Sequence, residues 1–233
     1  MILFVFLFFK STDAQIGLTT YFDLGENNVS EGLYLKSAVL GSYPVKQMRI
    51  EGGMQYDLIS AGSHFLSGVS LIVGKEMVIK NIQFEVLGLY MNNFFSGLAH
   101  ESNWGALMNY EQNHFSGKLG TGFKTYEITP KARKRYDIES NTSIHENWNL
   151  MYLLQYNLNP KNSKWDLSAA ITNIDHFLIN QETNPMFNLC GGYNYSRSLS
   201  LFIESWYKNA GVLNISANYF GFFFRTGLKW EFH

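Results

Sequence analysis

Beyond Ala14 the chain alternates between apolar and polar residues with a period of two. The alternation is clearest from Val45 to Leu58. Met48, Ile50, Met54, Tyr56 and Leu58 share one parity, and Gln47, Arg49, Glu51, Gln55 and Asp57 share the other. Successive side chains of a β-strand point to opposite faces, so such a run is a strand with one apolar and one polar side. The same pattern places Trp148, Leu150, Tyr152, Leu154, Tyr156 and Leu158 opposite Asn149, Gln155 and Asn157. At the C-terminus it places Phe222, Phe224, Leu228, Trp230 and Phe232 opposite Arg225, Lys229 and Glu231.

Twelve such segments are predicted, near 16–24, 31–42, 45–58, 65–75, 78–92, 102–112, 115–128, 147–158, 164–176, 185–195, 198–209 and 219–232. Many run to roughly 10–13 residues, longer than the five or six of ordinary soluble strands. That is the length of a tilted strand crossing hydrocarbon. The connections alternate in length. "SYP", "NPKNS" and "YSRS" are tight, whereas "GENNVS", "ISAGSH", "NFFSGLAHES", "TPKARKRYDIESNTSIHE", "LINQETN" and "AGVLNISAN" are longer. Short turns at one end and longer loops at the other define the fold class expected here: an all-β, transmembrane antiparallel β-barrel of about twelve strands, with short periplasmic turns and longer extracellular loops. The prolines Pro44, Pro130, Pro160 and Pro185 are all expected in turns or loops, because proline removes a ladder hydrogen bond. Trp104 and Trp148 are expected at the outer membrane interface, and Trp165 and Trp230 at the inner one. A soluble sandwich or lipocalin-like barrel is the competing arrangement; strand length and the asymmetric connections oppose it.

Composition agrees. Charged residues make up 16% of the chain, against about 25% in average soluble domains. The net charge of −1 gives no basic field for nucleic acid. A single cysteine, Cys190, excludes an intramolecular disulfide and a cysteine-based metal site. Residues 1–14 read as a signal peptide: Ile2 to Phe9 are apolar but too few to span a bilayer as a helix, and Ala14 offers a cleavage point. A positive n-region is absent, and a buried N-terminal strand is the other reading. Residues 15–233 then form the barrel.

The "AQ" end of the leader, the Asn-, Tyr- and Phe-rich strands and the aromatic last strand "RTGLKWEFH" resemble small outer-membrane β-barrel proteins of Bacteroidota-type bacteria. The resemblance covers the whole chain at the level of pattern. His233 departs from it, since such barrels usually end on the aromatic residue.

The polar parity is expected to line the lumen. Its network comprises Arg49, Glu51, Asp57, Glu85, Glu111, Lys124, Glu204, Arg225, Lys229 and Glu231, joined by Asp23, Lys36, Lys118, Asp166 and Lys208. Both signs occur in near-equal number, which favours interlocked ion pairs and a filled barrel over a one-signed pore ring. Residues 99–104, "AHESNW", contain His-x-Ser-Asn, which resembles the motif of outer-membrane phospholipase A and of lipid A deacylases. That resemblance implies Ser102 as nucleophile, His100 as its base and an asparagine, with Asn109 available, orienting the imidazole. Here the motif opens a descending strand, and no neighbouring calcium-binding Ser/Asp loop is evident. Lys131, Arg133, Lys134 and Arg135 form a basic loop suited to phosphates of lipopolysaccharide or an acidic partner. "SGKLGTGF" lacks the helix and Lys-Ser/Thr of a phosphate loop. The histidines His64, His114, His145 and His176 show no metal-binding spacing, so no metal or cofactor is expected. The leading functional expectation is a non-enzymatic structural or accessory subunit of an outer-membrane assembly. A small-solute channel and a lipid hydrolase are the alternatives.

Overall fold

In the computed structural model the described residues are 16–27, 32–59, 65–79, 82–95, 99–137, 143–159, 163–208 and 221–232. The proposed leader lies outside them. The strands are β1 (Ile16–Asn27), β2 (Gly32–Val45), β3 (Met48–Asp57), β4 (Leu66–Ile79), β5 (Ile82–Phe95), β6 (Ala99–Gln112), β7 (Phe115–Ile128), β8 (Ser143–Asn157), β9 (Trp165–Thr172), β10 (Met186–Asn194), β11 (Leu199–Lys208) and β12 (Gly221–Phe232). One helix, α1 (Pro130–Tyr136), lies between β7 and β8. Each strand pairs antiparallel with its sequence neighbours, and β1 pairs with β12 from Ile16↔Phe232 to Gly25↔Phe223. The sheet is therefore a closed barrel of twelve strands, each paired with two neighbours.

The two parities behave as the alternation requires. Phe22, Leu24, Val39, Ile50, Leu71, Val86, Met108, Leu119, Leu154, Leu189, Phe224 and Leu228 all point outward and are exposed. Tyr21, Asp23, Lys36, Glu101, Lys124, Lys208 and Arg225 point inward and are buried. So wide a band of exposed apolar side chains is untenable in water and is the natural outer wall of a barrel in lipid. Trp104 and Trp148 stand outward toward the loop end, and Trp165 and Trp230 toward the turn end. Trp206 faces inward instead, stacked on Phe223 at 5.7 Å.

Three expectations change. Pro44 is not in a turn but is the penultimate residue of β2. The described β1–β2 pairing stops at Ser42, so its missing N–H interrupts no pairing there. "NFFSGLAHES" is mostly strand, with β5 running to Phe95 and β6 beginning at Ala99. The predicted strand 164–176 ends at Thr172, where the chain turns into the lumen. The outer wall also carries a bulge: Gly122 opposes Asn149 but Lys124 opposes Glu146, and Trp148 takes a left-handed backbone (φ 65°).

Candidate functional site

β9 pairs with β8 over only five registers, from Leu153↔Thr172 to Asn157↔Ser168. Asn173 then takes the place of further strand. Its N–H donates to Tyr152 O (3.1 Å), its Oδ1 accepts from Tyr152 N (2.8 Å), and its Nδ2 donates to Leu150 O (2.7 Å). Glu182 accepts from Leu150 N through Oε2 (3.0 Å) and from the Tyr152 hydroxyl through its backbone oxygen (3.0 Å). Side chains thus satisfy backbone groups on the edge of β8 that β9 leaves behind.

Between these anchors the chain folds as a small hairpin inside the barrel. Ile174 bridges Ile179, Asp175 N donates to Leu178 O (2.8 Å), and Asn180 N donates to Asn173 O (2.7 Å). Its apolar residues join three clusters with the inner wall. Ile174 and Ile179 pack with Leu87, Leu89, Met91, Leu107 and Met151. Leu178 packs with Tyr34, Met186, Trp206 and Phe223, and Phe177 with Tyr21, Ala38 and Leu40. Gly53 and Gly68 are needed here: a Cβ would come within 2.9 Å and 3.3 Å of the Phe177 ring.

Charge fixes the tip. Asp175 forms a two-pronged pair with Arg225, at 2.9 Å from Nη1 and 2.7 Å from Nη2. Arg225 holds Asp23 in the same way through Nε (2.7 Å) and Nη2 (3.1 Å), and lies over the Tyr21 ring at 4.0 Å. Arg225 is only 2% exposed, so its charge is compensated almost wholly by protein. On the loop, burial acts to raise the Asp175 pKa, but Arg225 outweighs it and holds the carboxyl well below the usual carboxylate range. On the opposite wall Lys124 Nζ donates to Ile179 O (2.5 Å), and Asn93 Nδ2 donates to Phe177 O (2.7 Å). Lys124 also pairs with Glu101 at 3.8 Å, and Glu101 accepts from Asn103 (2.7 Å).

Toward the turn end the described residues enclose two cavities. A cavity of about 530 Å³ lies under the hairpin and is lined by His176, Arg49, Glu51, Glu204, Lys229 and Glu231 among others. A second, of about 360 Å³, shares Arg49 and adds Lys46, Glu85, Asn109 and Glu111. His176 Nδ1 is 3.7 Å from Glu51, and Arg49 joins Glu51 (3.5 Å) to Glu85 (3.1 Å).

The sequence-derived lumen residues therefore divide. Arg49, Glu51, Glu85, Glu111, Lys229 and Glu231 line these two cavities, with Lys229 paired to Glu231 at 3.1 Å. Lys124, Arg225 and Glu204 belong to the layer around the hairpin, where Trp206 Nε1 donates to Glu204 (2.7 Å). Asp57 lies near the loop end and accepts from Ile59 N (3.1 Å). Sequence reasoning missed Asp175, Glu101 and the role of His176. Ser102 and His100 share the outward face, and His100 meets Phe94 edge-on at 5.2 Å. Asn109 is not with them: it points inward and donates to Glu85 (3.3 Å), on the other side of the wall. Lys131, Arg133, Lys134 and Arg135 are exposed on α1, which Thr129 caps by accepting from Ala132 N.

No protein-family description and no curated protein matches the chain. Among solved structures, the KdgM porin aligns over 93% of this chain and 99% of its own, with a TM-score of 0.55 and 8% identity. The fold is that of an outer-membrane β-barrel. Two further outer-membrane proteins align over 94% of the chain: Omp33 of Acinetobacter baumannii (98% of its own chain, TM-score 0.46, 8% identity) and the COG4313 channel of Pseudomonas putida F1 (95%, 0.45, 9%).

Proposed function

We propose that the protein is a small-solute channel of the bacterial outer membrane whose conduit is closed, in this conformation, by the hairpin after β9. The carrying observation is the nature of the seal. A charged cavity toward the turn end stops at a layer made by one inserted segment, 173–185, and the strand side chains packed against it. A segment that joins the ends of two neighbouring strands, β9 and β10, and adds no strand to the barrel can withdraw without opening the β-ladder. The fold shared with a porin supports the same reading. The further likeness to Bacteroidota barrels rests on the sequence pattern alone.

The packing of the hairpin into three apolar clusters favours the second reading, a permanently filled barrel serving as a structural subunit. Planar-bilayer recordings separate the two. A variant with residues 174–184 replaced by a short Gly-Ser link should give discrete conductance steps larger than any of the parent protein, and charge reversal at Arg49 should alter their ion selectivity. A loop-shortened barrel that is folded yet silent would reject the channel and leave the structural role.

A further inference from the structure

We propose that the outer wall of β5–β8, together with α1, binds a phosphorylated glycolipid of the outer leaflet. The strand registers arrange the outward side chains of this wall in rows that cross the strands, because directly opposed residues share a face. The lowest of these rows is Val73, Gly88, Ala106, Thr121 and Leu150. Small residues at its centre leave a hollow of about 700 Å³. A Cβ on Gly88 would meet no atom nearer than 4.0 Å, so that position faces open space. Immediately above lie Leu71, Tyr90, Trp104 and Phe123, with Trp148 beside them at the bulge. Tyr90 and Trp104 are in ring contact at 4.3 Å, and Trp148 is 79% exposed. This aromatic row is the boundary between acyl chains and headgroups.

Above it the wall becomes polar while still facing outward. Asn92, Ser102, Thr125 and His145 form one row, with Thr125 Oγ1 3.1 Å from His145 Nδ1. The next row holds Phe94, His100, Glu127 and Ser143. α1 follows directly on the loop end of β7 through Thr129, with Lys131, Arg133, Lys134 and Arg135 exposed. Glu127 and Asp137 offset part of this charge and leave the patch cationic. Thr129 lies six positions beyond Phe123. At about 3.4 Å per residue and a tilt of about 45°, this sets α1 about 14 Å above the aromatic row along the membrane normal. The interfacial layer of a simple phospholipid is only about 5–8 Å thick. The order of apolar hollow, aromatic belt, hydroxyl and amide rows, then cations therefore matches a lipid with acyl chains, a deep sugar headgroup and phosphates at its top.

The test uses the full barrel, refolded in detergent and checked for heat-modifiable migration. The probes are deep-rough lipopolysaccharide with a phosphorylated core, its dephosphorylated form and inorganic phosphate. Native mass spectrometry should show the phosphorylated lipid retained, with binding weakened about tenfold or more on dephosphorylation or when the four α1 cations become Gln. Gly88→Leu fills the hollow without a backbone clash and should weaken retention while the barrel stays folded; it decides the matter if the α1 variant misfolds. Equal retention of the dephosphorylated lipid, unchanged retention by Gly88→Leu, or displacement by millimolar inorganic phosphate would overturn the proposal.

Discussion

Arg225 is the side chain on which the inner layer turns. It sits on β12, the last strand, yet it neutralises Asp23 on the first strand and Asp175 on the inserted hairpin. Burying charge is costly, and removing one partner leaves the others uncompensated. Arg225→Leu should therefore lower stability by about 3–5 kcal/mol, read as a fall in the urea midpoint of the refolded barrel. Adding Asp23→Asn and Asp175→Asn to that variant should restore much of the loss, because neutral amides replace the stranded carboxylates. If the triple variant is as unstable as Arg225→Leu alone, the cost lies in lost packing on Tyr21 and Trp206 rather than in charge.

The hairpin and the short strand before it form one device. β9 stops at Thr172, and β8 would there expose ladder groups to the interior were Asn173 not to take them. Asn173→Ala removes its three side-chain hydrogen bonds while keeping the backbone, and leaves Tyr152 N, Leu150 O and Asn180 O to find other partners. The expected loss is about 1–3 kcal/mol. Hydrogen exchange at Tyr152 should rise more than at Phe115–Leu119 on the neighbouring strand. An unchanged Tyr152 amide would mean that Asn173 does not hold the seam. Much of this element was hidden in the sequence. The pattern predicts strand over 164–176 and a loop from Leu178, whereas β9 ends at Thr172. Phe177, Leu178 and Ile179 in succession break the alternation and are the signal of an inserted segment, but loops of such barrels are ordinarily solvated.

For the molecule as a whole, closure is the dominant physical fact. Every strand is paired on both sides, and β1 and β12 share ten registers. Unfolding therefore has no unpaired strand from which to start, and the folded barrel should migrate differently from boiled protein on a detergent gel. Identical migration before and after boiling would contradict a closed barrel. The outward band of Phe, Leu, Val and Met is satisfied only in lipid, so refolding should require micelles or vesicles.

All twelve strands, their inner and outer faces and the uneven ends of the barrel could be read along the chain, because strand periodicity and membrane solvation act on each residue locally. Arg225 and Lys124 could likewise be assigned to the inside by parity. Their partners could not. Asp175 lies fifty residues from Arg225, and Lys124 meets Ile179 O fifty-five residues away. Such pairings depend on which connection enters the closed cylinder. That choice is made by the volume and charge inside the finished barrel, which no single stretch of sequence contains.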